Sequence, residues 1–110
     1  MTEDDYISQL RDGWPKSEDA SQKVIALADE AVRAFPRSAR LWVMRDDLIQ
    51  LGAESCPHAL EEALASYQRA VEVNPAFAEA WEEIGRYHDA VLSDEAAAQP
   101  YFRETEKLRG

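Results

Sequence analysis

Asn74-Pro75-Ala76-Phe77-Ala78-Glu79-Ala80-Trp81-Glu82-Glu83-Ile84-Gly85-Arg86-Tyr87-His88 is the stretch on which the reading of the fold turns. Proline disfavours helical geometry in the residue before it, so Asn74-Pro75 ends one helix. Beyond the joint, Trp81, Ile84, Gly85, His88 and then Val91/Leu92 recur at steps of three and four, which predicts a second helix over Ala78–Leu92. Before the joint, Leu60, Ala63, Leu64, Tyr67, Ala70 and Val71 mark a helix over Pro57–Val73. The same joint occurs upstream. Ser21–Phe35 carries Val24, Ile25, Ala28, Ala31 and Val32 and stops at Pro36, and Arg37–Leu51 carries Leu41, Met44, Leu48 and Leu51 before Gly52. A weaker opening helix, Glu3–Arg11, shows Tyr6, Ile7 and Leu10 ahead of Gly13-Trp14-Pro15-Lys16, and a last segment runs from Ser93 towards Leu108. Alternating β-branched runs are missing, so the expected fold is all-α, with about six helices in three stacked antiparallel hairpins.

The two joints match position by position. Pro36 stands six residues before Trp42 and Pro75 six before Trp81, and residues twelve, eight and five before each proline are Val24, Ala28, Ala31 and Ala63, Tyr67, Ala70. With Trp81, Ile84-Gly85, His88, Ala97 and Tyr101 at their offsets, the chain resembles the tetratricopeptide-repeat family, whose unit is 34 residues of helix–turn–helix. The resemblance implies one domain over 1–110: repeat 1 at about 3–36, repeat 2 at about 37–75 and repeat 3 at about 76–109. Trp42 to Trp81 is 39 residues, so about five extra residues fall in a loop insertion at 52–58. Three departures stand out. Arg45 and Asp46 take the places where the family has Leu and Gly, and Glu104 falls where Ala31 and Ala70 sit, which suits an end cap with no fourth repeat. Pro100 lies inside the last helix and predicts a kink there, or a start only near Gln99. The register also implies that Trp81 is buried.

Composition narrows the function classes. Twenty-two acidic residues against twelve basic ones leave a net charge of −10, which disfavours nucleic acid or an anionic membrane as the main partner. No apolar run is long enough to span a bilayer, and the acidic start Met1-Thr2-Glu3-Asp4-Asp5 does not read as a signal peptide. The single Cys56 allows no internal disulfide and suits a reducing, cytoplasmic setting. Cys56-Pro57-His58 holds two potential ligands where zinc needs about four, so no metal and no cofactor are expected. Neither His58 nor His88 stands in a catalytic pattern, and His88 reads as a packed helix residue. Paired acids such as Asp46-Asp47, Glu61-Glu62 and Glu82-Glu83 point two ways on a helix and read as solvated faces rather than an opposed catalytic couple. The expectation is a protein that is not an enzyme.

The resemblance instead implies a concave groove lined by the first helix of each pair. Its ligand-facing offsets fall on Arg40, Val43, Asp47 and Gln50 in the second unit and Glu79, Glu82, Arg86 and Asp89 in the third. The Lys and Asn of the family's carboxylate clamp are missing from these places. Asp47, Glu79, Glu82 and Asp89 against Arg40 and Arg86 make a mildly acidic groove, suited to a neutral or basic peptide segment of another protein. The expected role is a small adaptor or chaperone-like interaction module. Alternatives are a self-associating structural protein, with Trp14 and the first helix as its interface and a weak homo-oligomer as its product, and a small secretion-type chaperone.

Overall fold

The computed structural model describes residues 1–52 and 60–110. Cys56, His58, the start of the fourth helix at Pro57 and nearly all of the 52–58 insertion lie outside the described residues. Among the described residues six α-helices follow one another: α1 Glu3–Asp12, α2 Gln22–Ala34, α3 Ala39–Gln50, α4 Leu60–Val73, α5 Ala78–Arg86, extended by a π-helical turn Tyr87–Val91, and α6 Glu95–Arg109. Among the described residues there is no strand, only one isolated bridge between Ala20 and Gly52. The helix starts follow from side chains that accept from orphan backbone N–H groups. Thr2 and Asp5 form a reciprocal capping box, Ser21 accepts from Val24 N, Ser38 from Leu41 N, and Asp94 from Ala97 N.

Consecutive helices pack as an all-α stack around two apolar clusters. The first gathers Tyr6 and Leu10 of α1, Val24, Ile25, Ala28, Ala31 and Val32 of α2, and Leu41, Met44 and Leu48 of α3. The second gathers Ala39, Val43 and Ile49 of α3, Ala63, Tyr67 and Ala70 of α4, and Ala80, Ile84 and Tyr87 around α5. Helix α3 therefore lies between the two and buries residues on opposite sides. A fully buried Leu or Ile at these contacts is worth about 1.5–3 kcal/mol relative to exposure. The two joints close with the same bond: Trp42 Nε1 donates to the Pro36 carbonyl and Trp81 Nε1 to the Pro75 carbonyl, each at 2.8 Å. Because each indole must reach its turn carbonyl at the surface, Trp42 and Trp81 are half-buried, not buried as the register implied.

The third hairpin shows a one-residue difference from the sequence register. The offsets point inward at Ala97, Tyr101 and Glu104, yet the residues in the packed positions are Ala98, Phe102 and Thr105, one place later. The cause is the π turn. Leu92 N–H donates to the Tyr87 carbonyl five residues back, which adds a residue to the path of α5. The spacing of Ala98, Phe102 and Thr105 then repeats that of Val24, Ala28, Ala31 and of Ala63, Tyr67, Ala70. Thr105 is 4% exposed, and its hydroxyl donates to the Tyr101 carbonyl at 2.8 Å, so it fills the small site with its polar group satisfied. Glu104 does not occupy that site. Tyr101, one place earlier, packs at the edge of the second cluster and stacks on half-buried His88 with centroids 5.3 Å apart. Helix α6 starts at Glu95, not near Gln99, because Asp94 caps it, and it runs on through Pro100.

Asp46 and Gly85 hold equivalent places on α3 and α5. A Cβ on Gly85 would come within 2.7 Å of the Phe102 ring, so glycine is what lets α6 approach. In the second hairpin the same place takes a carboxyl group instead. Asp46 is fully buried with no hydrogen-bond donor on either oxygen, 3.7 Å from the Arg45 guanidinium. Arg45 spends its other donors elsewhere: Nε bonds Asp29 Oδ1 of α2 at 2.7 Å, Nη1 bonds Ser66 Oγ of α4, and Nη2 lies 3.5 Å from Glu62 Oε2. The Arg45-Asp46 pair thus ties three helices together through one buried cation. Loss of water pushes the Asp46 carboxyl up to about 9, with the neighbouring Ser66 hydroxyl and then Arg45 opposing.

Candidate functional site

The site begins with a tether. Ala20 N–H donates to the Leu51 carbonyl at 2.8 Å, which pins the α1–α2 connection against the end of α3. That places Trp14 beside the last turn of α3. Trp14, Asp47, Gln50, Leu51 and, from α5, Glu83 line a recess of about 310 Å³.

A hydrogen-bond relay fixes one wall. Gln50 Nε2 donates to Tyr67 Oη at 2.6 Å, so the Tyr67 hydroxyl directs its proton to Asp47 Oδ1, also at 2.6 Å. Burial and the neighbouring Asp47 charge both push the Tyr67 hydroxyl well above the usual phenol range, which keeps it protonated and a donor. Asp47 itself is pushed up to about 6, chiefly by burial and then by the Glu79 charge, with Tyr67 and Arg86 acting the other way. Glu83 is pushed up to about 7, again by burial first, then by Asp47, while Arg86 opposes. Two half-desolvated carboxyl groups therefore face one recess, and the Asp47 charge adds to the elevation of Glu83. The nearby cation, Arg86, is divided between Glu82 at 3.2 Å and Glu83 at 3.2 Å and is itself 62% exposed.

The eight residues expected in the groove separate into three groups. Asp47 and Gln50 line the recess, and Arg86 stands beside it. Arg40 and Glu79 bridge the starts of α3 and α5 at 3.9 Å, with Arg40 also 5.5 Å over the Phe77 ring, in a separate recess at the Pro36 and Asn74 turns. Val43 is 2% exposed and packs in the second core cluster, so it faces α4 and α5 and not a ligand. Glu82, at the same offset from its tryptophan, likewise turns from the recess and bonds Arg109 of α6 at 2.6 Å. Asp89 is exposed on the π turn.

Glu83 and Trp14 line the recess and were not picked out by the groove offsets. Glu83 lies next to Glu82, and the shared burial that turns it toward α3 is a tertiary effect with no periodic signal. Trp14 stands in a connection, where helical offsets say nothing. Among the described residues no group of three or more His, Cys, Asp or Glu side chains is placed to hold a metal ion, and no helix is long and apolar enough to cross a membrane. Neither a protein-family model nor a curated protein matches this chain.

Proposed function

We propose that this chain is a non-catalytic protein-interaction module of tetratricopeptide-repeat type that binds a peptide segment of another protein along α3 and α5. The observation that supports it is the recess between those helices. Its polar side chains are preorganised by the Gln50–Tyr67–Asp47 relay, yet it opens to solvent. Groups held in fixed geometry at a surface lose little freedom when a ligand arrives, which favours binding. Arg40 with Glu79 marks one end of the track, and Asp47, Gln50 and Glu83 mark the other. Its acidic balance fits a neutral or basic segment and steers the encounter more than it adds affinity. The single Cys56 fits a cytoplasmic setting.

The test is selection from a displayed library of twelve-residue peptides, run on wild type beside Asp47→Asn/Arg40→Gln. Peptides enriched by wild type and lost by the folded variant support the track. Equal enrichment by both overturns it.

A second reading, self-association, draws on exposed Leu51, Val91 and Leu92, which are 44%, 38% and 50% accessible at the ends of α3 and the π turn. A sedimentation coefficient that does not change with concentration eliminates it.

A further inference from the structure

We infer that the recess walled by Trp14, Asp47, Gln50 and Glu83 receives a single cationic side chain, a lysine or arginine, of the bound segment; this rests on the peptide-binding reading above. Three independent features meet there. The first is charge: Asp47 and Glu83 both face the space, whereas Arg86 is already shared by two carboxylates. The second is the wall. An indole beside carboxylates offers an alkylammonium or guanidinium both a π face and a counter-charge, and the aliphatic stem packs on apolar surface such as Leu51. The third is orientation. Tyr67 donates to Asp47 Oδ1 at 2.6 Å and Gln50 holds Tyr67 in turn, so the carboxyl group is fixed at the recess before a cation arrives.

The energetic logic agrees with the geometry. Both carboxyl groups are held above their ordinary range, chiefly by burial, with Glu79 adding to the effect on Asp47 and Asp47 to that on Glu83. A bound positive charge restores their preference for ionisation, so binding and deprotonation reinforce each other. The groups that set this balance are Asp47 and Gln50 of α3, Tyr67 of α4, and Glu79, Glu82, Glu83 and Arg86 of α5. A neutral side chain entering the same space would desolvate both carboxyl groups further and bring no charge to offset it, beyond what Tyr67 and Arg86 already supply, which is what makes the recess selective for charge.

The probes are N-acetyl-lysine N-methylamide and its arginine counterpart, with the glutamine compound as control, added to the full chain at low salt. The readout is the Trp14 indole N–H in ¹H–¹⁵N spectra, assigned with Trp14→Phe. The expected result is a saturable shift with the two cationic compounds and none with glutamine. Asp47→Asn and Glu83→Gln should each weaken that binding by about fivefold, as loss of one partly desolvated charge implies. Trp14→Leu, which keeps an apolar wall without the π face, should weaken it too. Equal shifts with the glutamine compound overturn the inference. So does unchanged binding in both carboxamide variants with native helical spectra, or shifts spread equally over exposed acids such as Glu72 and Glu95. Library peptides that bind this face without any Lys or Arg refute the cation recess and leave the peptide track standing. Saturable binding of the cationic compounds with no peptide enriched does the reverse.

Discussion

Replacing Asp46 by Asn should flatten the dependence of stability on pH. In the folded chain the Asp46 carboxyl is fully buried, without a donor on either oxygen, and pushed up to about 9, whereas unfolding returns it to 3.8. A folded-state value above the unfolded one means the native chain holds a proton that the unfolded chain has released. The stability so contributed is fully present below pH 3.8 and is lost as pH rises towards 9. One proton corresponds to about 1.4 kcal/mol per pH unit, so from pH 5 to pH 8 the folded state should lose about 4 kcal/mol through this group. Asp47 and Glu83 act with the same sign in the lower half of that range. The assay is urea unfolding followed by tryptophan fluorescence at pH values from 5 to 8, for wild type and Asp46→Asn. Wild type should lose stability steeply towards pH 8, and the variant should lose about one proton's worth less. If the two slopes coincide, Asp46 is ionised in the native state and held so by Ser66 and Arg45, and the reasoning fails.

Other outcomes follow from the packing. Gly85→Ala puts a methyl 2.7 Å from the Phe102 ring and should destabilise by about 1–3 kcal/mol, despite alanine's better helix propensity. In a Phe102→Leu background the same change should be much milder, as a double-mutant thermal series would show. Arg45→Ala removes the cation that holds Asp29, Ser66 and Glu62 and should cost about 3 kcal/mol or more in chemical unfolding. Deleting exposed Ala90 should convert the π turn to regular helix while Ala98, Phe102 and Thr105 keep their places, with the melting temperature nearly unchanged by circular dichroism. Deleting Ile49, buried at 3% in regular α3, should abolish cooperative melting.

The fold was legible because its signals are local. Pro36 and Pro75 punctuate helices, the apolar steps in α2 and α4 have one period, and Ser21, Ser38 and Asp94 cap the starts they precede. What escaped was whatever depends on how helices meet. Ala97-Ala98 and Tyr101-Phe102 offer near-identical residues in two adjacent registers, so the sequence of α6 alone does not choose between them. The π turn chooses, and it leaves no compositional mark. Val43 was assigned outward by its offset, but α4 and α5 cover it. At the candidate site, Asp47 and Gln50 were named only through the offsets that the tetratricopeptide-repeat resemblance implies. Glu83 and Trp14 were not, since one depends on neighbour-induced burial and the other on the Ala20–Leu51 tether across 31 residues of sequence.

The central claim is that a peptide lies along α3 and α5, and chemical-shift mapping of a library-selected, lysine-containing peptide on the ¹⁵N-labelled chain tests it most directly. The account predicts the largest changes at Arg40, Asp47, Gln50, Glu79, Glu83 and the Trp14 indole, with α2 and the outer face of α4 silent. Changes centred on α1, α2 or the Glu82–Arg109 end, with Asp47 and Glu83 unmoved, would contradict it.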